Sequence, residues 1–119
     1  MAEPSLELLK GTLDVLILKT LSGDAMHGYG ISRAIREATQ EAFRVEEGAL
    51  YPALRRLEKR GLVEARWGVT DTGREARFYE LTPAGKAELA SELRGWHRYV
   101  EAMGRVPGSG SGVDVKPWS

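Results

Sequence analysis

The stretch from residue 46 to residue 61, EEGALYPALRRLEKRG, places four basic side chains within the six positions 55–60. Guanidinium and ammonium groups this close together can bind phosphates, and an arginine can also donate two hydrogen bonds to the edge of a guanine. The same run could equally be the solvated face of an ordinary amphipathic helix. The surrounding elements have to distinguish these two interpretations.

Other kinds of chemistry find little support in the sequence. The chain contains no cysteine, which excludes disulfides, thiolate chemistry and cysteine-ligated zinc. His27 and His97 have no partners at ligand spacing, so no metal site is expected. Ser32 has no histidine or aspartate nearby in the sequence that could activate it. We therefore expect no catalytic residue, no cofactor and no enzymatic activity.

Length and composition describe one small domain. The 119 residues carry no net charge, and 42% hydrophobic with 29% charged residues is typical of a soluble globular protein. Residues 31–77 carry ten basic and eight acidic side chains, so a basic face is expected there. The first ten residues are acidic where a signal peptide would be cationic, and no apolar run reaches membrane-spanning length. A cytoplasmic location without membrane contact is expected.

Apolar residues recur with helical spacing in four segments and alternate in two others, which predicts a mostly helical α+β protein. The predicted elements are a helix over residues 6–23, a helix from Tyr29 to about Gln40, a helix through the opening stretch that ends at Gly61, strands at residues 62–67 and 76–81, and a helix from Pro83 to about Met103. Residues 68–75 are expected to form a long, mobile loop and residues 104–119 a disordered tail. Three helices followed by a hairpin are the winged helix-turn-helix arrangement, whose third helix enters the DNA major groove.

The third helix turns its leucines inward, which leaves its other face for DNA. The predicted groove-facing residues of this helix are Gly48, Tyr51, Pro52, Arg55, Arg56 and Lys59. Arg55 is long enough to fork onto a guanine edge, whereas Arg56 and Lys59 suit phosphates. Gly48 lets the backbone approach phosphate closely. Because Pro52 has no amide donor, we place it in the first full turn of the helix.

In its motifs the chain resembles the PadR-like family of transcriptional regulators. The segments GTLDVLILKTL, HGYGISRAI, EEGALYPALRRLEKRGLVEARW and REARFYELTPAGKAEL follow the family's pattern in order, between residues 6 and 90. The resemblance implies a bacterial, dimeric, DNA-binding repressor in which His27, Gly28 and Tyr29 lie near DNA phosphates. With a single C-terminal helix, the chain looks like the short branch of the family, which includes multidrug-sensing repressors of the LmrR type.

The wing departs from the family's pattern, in which the wing loop is often rich in lysine and arginine. Here Asp71 and Glu75 accompany Arg74 and Arg77. These two arginines are the only candidate DNA contacts in the wing, and a contact between the wing and DNA stays open.

Beyond a winged-helix domain at residues 1–82, residues 83–103 are predicted to form a dimerisation helix. Five of its apolar side chains follow one another at intervals of four and three, which is the seam of a two-stranded coiled coil. This seam is too short to be stable alone, so we expect it to pack on the first helix of a partner subunit. The predicted homodimer interface comprises Leu6, Leu9, Leu13, Leu89, Leu93, Trp96, Val100 and Met103.

Trp96 lies in the middle of this seam. It could simply pack in the dimer core, or, as the resemblance implies, it and its symmetry mate could line a flat slot in which planar aromatic ligands stack. The expected walls of the slot are Leu8, Asp14, Val15, Glu92, Leu93, Trp96, Tyr99 and Val100. The carboxylates of Asp14 and Glu92 would favour cationic compounds.

Three functions remain open. The leading interpretation is a homodimeric repressor that binds a pseudo-palindromic operator in double-stranded DNA and is released by a small aromatic or cationic effector. The absence of net charge and the weakly basic wing keep open a winged-helix protein–protein interaction module without DNA binding. The third is a small-molecule-binding scaffold without regulatory output.

Overall fold

A computed structural model of the protein describes residues 11–108. Its elements are α1 (Thr12–Leu21), β1 (Met26–His27), α2 (Gly28–Ala38), α3 (Glu47–Lys59), β2 (Val63–Val69), β3 (Glu75–Leu81) and α4 (Pro83–Arg105). The strands form one antiparallel sheet in the order β1-β3-β2. This confirms the predicted fold class, a mostly helical winged helix-turn-helix with an additional C-terminal helix. In residues 11–108 no helix combines the length and apolar character needed to cross a membrane.

One apolar core joins the helices and the base of the sheet. The side of α3 that faces it is the predicted one, with Leu50, Ala53, Leu54 and Leu57 all buried. Helix α2 buries Ile31 and Ile35 against them, whereas Ala38, its last residue, is exposed. Leu89 of α4 is part of the same core. Burial of this face fixes which side chains of α3 point outward.

Helix α4 begins where the hairpin returns to the end of α3. Thr82 is its N-cap: the hydroxyl accepts the N–H of Gly85 at 3.0 Å and donates to the carbonyl of Gly61 at 2.6 Å. Pro83 occupies the first helical position, as predicted. A Cβ on Gly85 would collide with the carbonyl oxygen of Leu62, so only glycine allows α4 to approach this closely.

The hairpin strands are longer, and their connection shorter, than predicted. Strands β2 and β3 pair without interruption over seven residue pairs, which leaves only residues 70–74 as a turn. Thr70 closes this turn, since its N–H donates to the Arg74 carbonyl at 2.8 Å and its hydroxyl accepts the Arg74 N–H at 3.2 Å. Gly73 has a φ of +85°, a conformation that glycine adopts without strain. The long-loop prediction was wrong because these turn hydrogen bonds extend the ladder.

A short strand that no pattern in the sequence predicts ties the start of α2 to the hairpin. In β1, Met26 pairs with Tyr79 and His27 with Phe78. Two residues are too few to produce a recognisable alternation. This pairing holds the N-terminus of α2 beside the wing.

The start of α3 and the end of α4 also differ from their predicted positions. Helix α3 begins at Glu47, so Pro52 lies in its second turn rather than its first. The helix tolerates the proline because the carbonyl that loses its partner belongs to Gly48, which is exposed to water. Residues 104 and 105, assigned to the tail, belong to α4. The predicted residues Leu6, Leu8 and Leu9, and the tail after residue 108, lie outside the described residues.

Candidate nucleic-acid interface

The start of α2, the outer face of α3 and the wing (β2, β3 and the turn at residues 70–74) border one groove of about 870 Å³. The predicted DNA-contacting residues that line it are His27, Gly28, Tyr29, Tyr51, Arg55, Arg74 and Arg77. The other four lie on α3 outside the groove: Gly48, Arg56 and Lys59 are exposed there, and Pro52 is half-buried. Three elements that are distant in the sequence therefore converge on one surface.

Helices α2 and α3 meet where Gly28 lies beneath Tyr51. A Cβ on Gly28 would stand 2.7 Å from Cε1 and 2.8 Å from the hydroxyl oxygen of Tyr51. The tyrosine ring can lie across the start of α2 only because position 28 has no side chain. Gly28 thus sets the position of a groove-lining aromatic ring, a role that the sequence did not suggest.

His27 is the N-cap of α2. Its Nδ1 accepts the N–H of Gly30 at 3.1 Å, so that nitrogen carries no proton and the neutral ring has its N–H at Nε2. The ring lies parallel to that of Tyr29, with centroids 6.4 Å apart, and edge-on to Phe78 at 5.4 Å. The imidazole is therefore held in place at a helix N-terminus, where backbone amides and the dipole favour an anion such as phosphate.

The cations around the groove differ in whether a carboxylate already binds them. Of the arginines and lysines predicted to contact DNA, three form no ion pair within residues 11–108: Arg55, Lys59 and Arg74. Arg77, in contrast, places Nη2 3.1 Å from Oε2 of Glu58, which joins β3 to α3. Arg56 places Nη2 3.1 Å from Oδ1 of Asp14 on α1. Only the first group presents its full charge to an approaching phosphate.

One basic residue of the groove was missed. Arg33 lines it from α2, one turn after Tyr29, and binds Glu37 at 2.9 Å through Nε. The hydrogen bond and the charge of Glu37 raise the pKa of Arg33 above its ordinary value. The spacing of four residues from Tyr29 was the available signal. The wing also brings Asp71 and Glu75 to the groove, so its lining has mixed charge.

The aromatic residues of the predicted effector slot lie on the C-terminal half of α4. Trp96 and Tyr99 are 51% and 60% exposed, and their rings stack with centroids 5.9 Å apart and planes 11° from parallel. One face of the indole is thus already covered within its own chain. Val15 and Leu93 are half-buried and pack against the core.

The two carboxylates of the predicted slot lie near each other, between α1 and α4. A hydrogen bond with Glu88, one helical turn earlier, raises the pKa of Glu92, and desolvation and the negative charge of Asp14 raise it further. Asp14 is already bound to Arg56. Asp14 and Glu92 therefore lie near each other, and Asp14 is also tied to α3 through Arg56.

The predicted dimer residues of α4 have very different surroundings. Leu89 is buried in the core of its own chain, so it needs no partner subunit to cover it. Leu13 and Leu93 are partly buried against that core, and Val100 is half-buried. Trp96 and Met103 remain mostly exposed. The apolar side chains that remain uncovered therefore lie on the C-terminal half of α4.

The fold and the groove define a winged helix-turn-helix protein. The family model described as the transcriptional regulator PadR-like family matches residues 17–91. A transcriptional regulator of Mycobacterium tuberculosis is 35% identical over 88 residues, which cover 74% of this chain and 78% of that protein. A solved transcriptional regulator from Clostridium thermocellum superposes with a TM-score of 0.75 at 29% identity, covering 83% of this chain and 96% of that one. The chain belongs to the PadR-like family and is a transcriptional regulator, not an enzyme.

The negative transcriptional regulator PadR of Bacillus subtilis is also similar, with 30% identity over 77 residues that cover 65% of this chain and 42% of that protein. The family resemblance seen in the sequence is thereby confirmed. These matches do not test the likeness to LmrR-type repressors, which stays a prediction.

Proposed function

We propose that the protein is a repressor that binds an operator in double-stranded DNA through the groove between α2, α3 and the wing. The observation that carries this proposal is the convergence of three elements on one groove whose Arg55 and Arg74 have no carboxylate partner in the described part of the chain. Family membership supports a role in transcription. The name of the Bacillus subtilis relative, a negative regulator, favours repression.

Each element has a distinct role in this proposal. Helix α3 enters the major groove, where Arg55 reads a guanine edge and Lys59 binds phosphate. The start of α2 offers its backbone amides and its N-cap residue, His27, to the neighbouring phosphates. Tyr51, seated on Gly28, adds an aromatic ring and a hydroxyl to the same surface. Arg56 and Arg77 contribute only to the extent that DNA outcompetes their carboxylate partners.

The operator-bound form is a homodimer in this proposal. The C-terminal half of α4 supports an interface there, because Trp96, Tyr99 and Met103 are all more than half exposed. A two-fold axis through such an interface presents two α3 helices to two half-sites, so the preferred operator is pseudo-palindromic with half-sites about one helical turn apart.

The effector in this proposal is a small planar aromatic or cationic compound bound at the dimer interface, between Trp96 and its symmetry mate. Trp96 supplies an aromatic face, and Asp14 and Glu92, which lie near each other, supply negative charge. Such a ligand weakens operator binding only if it prefers one separation of the subunits to the other, because equal affinity for both states shifts nothing.

Retention of genomic DNA fragments by the purified protein tests the proposal. We expect retained fragments to share a pseudo-palindromic sequence upstream of a gene. Retention of no fragment at low salt would contradict DNA binding and favour the protein–protein module, for which the acidic groove residues Asp71 and Glu75 are the supporting observation. If an aromatic dye binds the protein but leaves the retention of DNA unchanged, the scaffold without regulatory output would be supported.

A further inference from the structure

The wing has little electrostatic attraction for DNA. Residues 63–81 contain three arginines and four carboxylates, which gives a net charge of −1. Two of the arginines are already paired, Arg77 with Glu58 at 3.1 Å and Arg66 with Glu80 at 3.6 Å. If this wing contacts DNA, most of the contact has to be non-ionic.

One face of the wing continues the wall of the groove. Tyr79 and Arg77 line the groove from β3, and the residues directly opposite them on β2 are Ala65 and Trp67. Directly opposed residues of antiparallel strands project to the same side of the sheet. Val69 follows on that side, two positions after Trp67. The face that lines the groove therefore ends, on β2, in two large apolar side chains.

This face is turned toward the DNA-facing helix and is uncovered at its end. The Arg77 guanidinium lies 5.9 Å from the centre of the Tyr79 ring and binds Glu58 of α3. Beyond that anchor, Trp67 is 71% and Val69 65% exposed. Strand β2 is an edge strand of the sheet, and in the described part of the chain both side chains are open to solvent. Large apolar side chains that are left exposed beside a groove are typical of an interaction site.

We propose that Trp67 and Val69 bind the sugar–phosphate backbone of duplex DNA, with the indole packed on a deoxyribose and its N–H donating to a phosphate oxygen. The occupant follows from the continuity of this face with the groove that is proposed to hold DNA. Arg74 is the one arginine of the wing without an ion pair in the described part of the chain, so contacts beyond Arg74 have to be largely non-ionic. The inference rests on the proposed DNA-binding function. Sugars and phosphates carry no sequence information, so the contact strengthens binding equally for all sequences. It displaces no counterion, so it adds affinity without adding salt dependence.

The test compares the full-length parent with Trp67→Ala and Trp67→Phe in binding a fluorescent mixed-sequence duplex over a series of salt concentrations. Trp67→Ala is expected to bind about threefold to tenfold more weakly, from the loss of buried apolar area, with the slope of log affinity against log salt unchanged. Trp67→Phe keeps a ring but loses the N–H, so it should bind with intermediate affinity. Lys59→Ala is the matched ionic control and should make the slope shallower by about one.

A protein whose only tryptophan is Trp67 reports the contact directly. After Trp96→Phe and Trp118→Phe, saturating duplex should protect Trp67 from quenching by acrylamide. Equal affinity of parent and Trp67→Ala, unchanged quenching or a shallower salt slope in Trp67→Ala would each overturn the contact while leaving DNA binding intact. A parent that does not bind duplex at low salt would instead overturn the proposed function itself.

Discussion

Arg56 of α3 is bound to Asp14 of α1, with 3.1 Å between Nη2 and Oδ1. The two residues are 42 positions apart in the sequence, and each was expected to serve a different ligand. Arg56 was predicted to bind phosphate, and Asp14 to attract a cationic effector. Their ion pair therefore links the proposed DNA surface to the proposed effector slot. Most of the Arg56 side chain is exposed, so the pair can open when a phosphate competes for the guanidinium.

Asp14→Asn should strengthen DNA binding, because it frees Arg56 to meet phosphate. An exposed ion pair contributes roughly 0.2–1 kcal/mol, so the gain should be up to about fivefold, with the salt slope steeper by about one. Glu88→Gln is the matched control, since it changes the net charge equally but releases Arg60. Fluorescence anisotropy with a duplex measures both. Equal gains in the two variants would mean that net charge, not Arg56, is responsible.

Gly28→Ala should destabilise the fold by about 1–3 kcal/mol, because the new Cβ overlaps the Tyr51 ring. Urea denaturation measures the change. In a Tyr51→Ala background the same substitution should cost much less, since the ring is gone. Gly48→Ala is the control: nothing lies within 4 Å of its Cβ position, so the helix should gain about 0.5–1 kcal/mol. Equal costs of Gly28→Ala in both backgrounds would contradict the packing described here.

Met103→Glu should convert the dimer to a folded monomer, because it places a charge in the proposed apolar interface. Met103 is 61% exposed in its own chain, so the fold itself should survive. Leu93→Glu would be a poorer test, since Leu93 packs on the core of its own chain and the variant could simply unfold. Ala90→Glu, on another face of α4, is the control. Sedimentation of a monomeric parent, or of a dimeric Met103→Glu variant, would exclude this interface.

An acridine-type cation should quench tryptophan fluorescence by stacking on Trp96, and Trp96→Ala should weaken its binding by about tenfold, since stacking contributes roughly 0.5–1.5 kcal/mol per ring. Trp67 and Trp118 also emit, so binding should be measured by dye anisotropy as well. Trp67→Ala serves as the control and should bind the dye like the parent. Unchanged dye affinity in Trp96→Ala would place the site elsewhere.

The buried faces and the order of the major elements were predictable because they depend on local periodicity. All four inward residues of α3 follow from their spacing, and Thr82 and Pro83 mark the start of α4. Seven residues of the groove were also named from the sequence. Tyr51 and Arg55 follow from the outward face of α3, and Arg74 and Arg77 are the arginines around the wing turn. His27, Gly28 and Tyr29 came from the family resemblance.

Contacts between distant residues were not predictable in this way. No local pattern relates Arg56 to Asp14, or Gly28 to the Tyr51 ring above it. Gly68 was placed in a loop on composition, yet in the sheet it lies beneath Phe78, where a Cβ would stand 2.8 Å from Cδ1. Glycine in a strand often marks such a close approach, but the sequence alone does not say what approaches it.

Binding of operator DNA by Arg55→Ala and Lys59→Ala, titrated in gel shifts over several salt concentrations, tests the central claim that the outer face of α3 reads DNA. Arg55→Ala should lose about 1–3 kcal/mol of operator affinity and tolerate other bases at one position of each half-site. Lys59→Ala should bind all sequences more weakly, with a salt slope shallower by about one. If both variants bind as tightly and as selectively as the parent, α3 is not the reading helix.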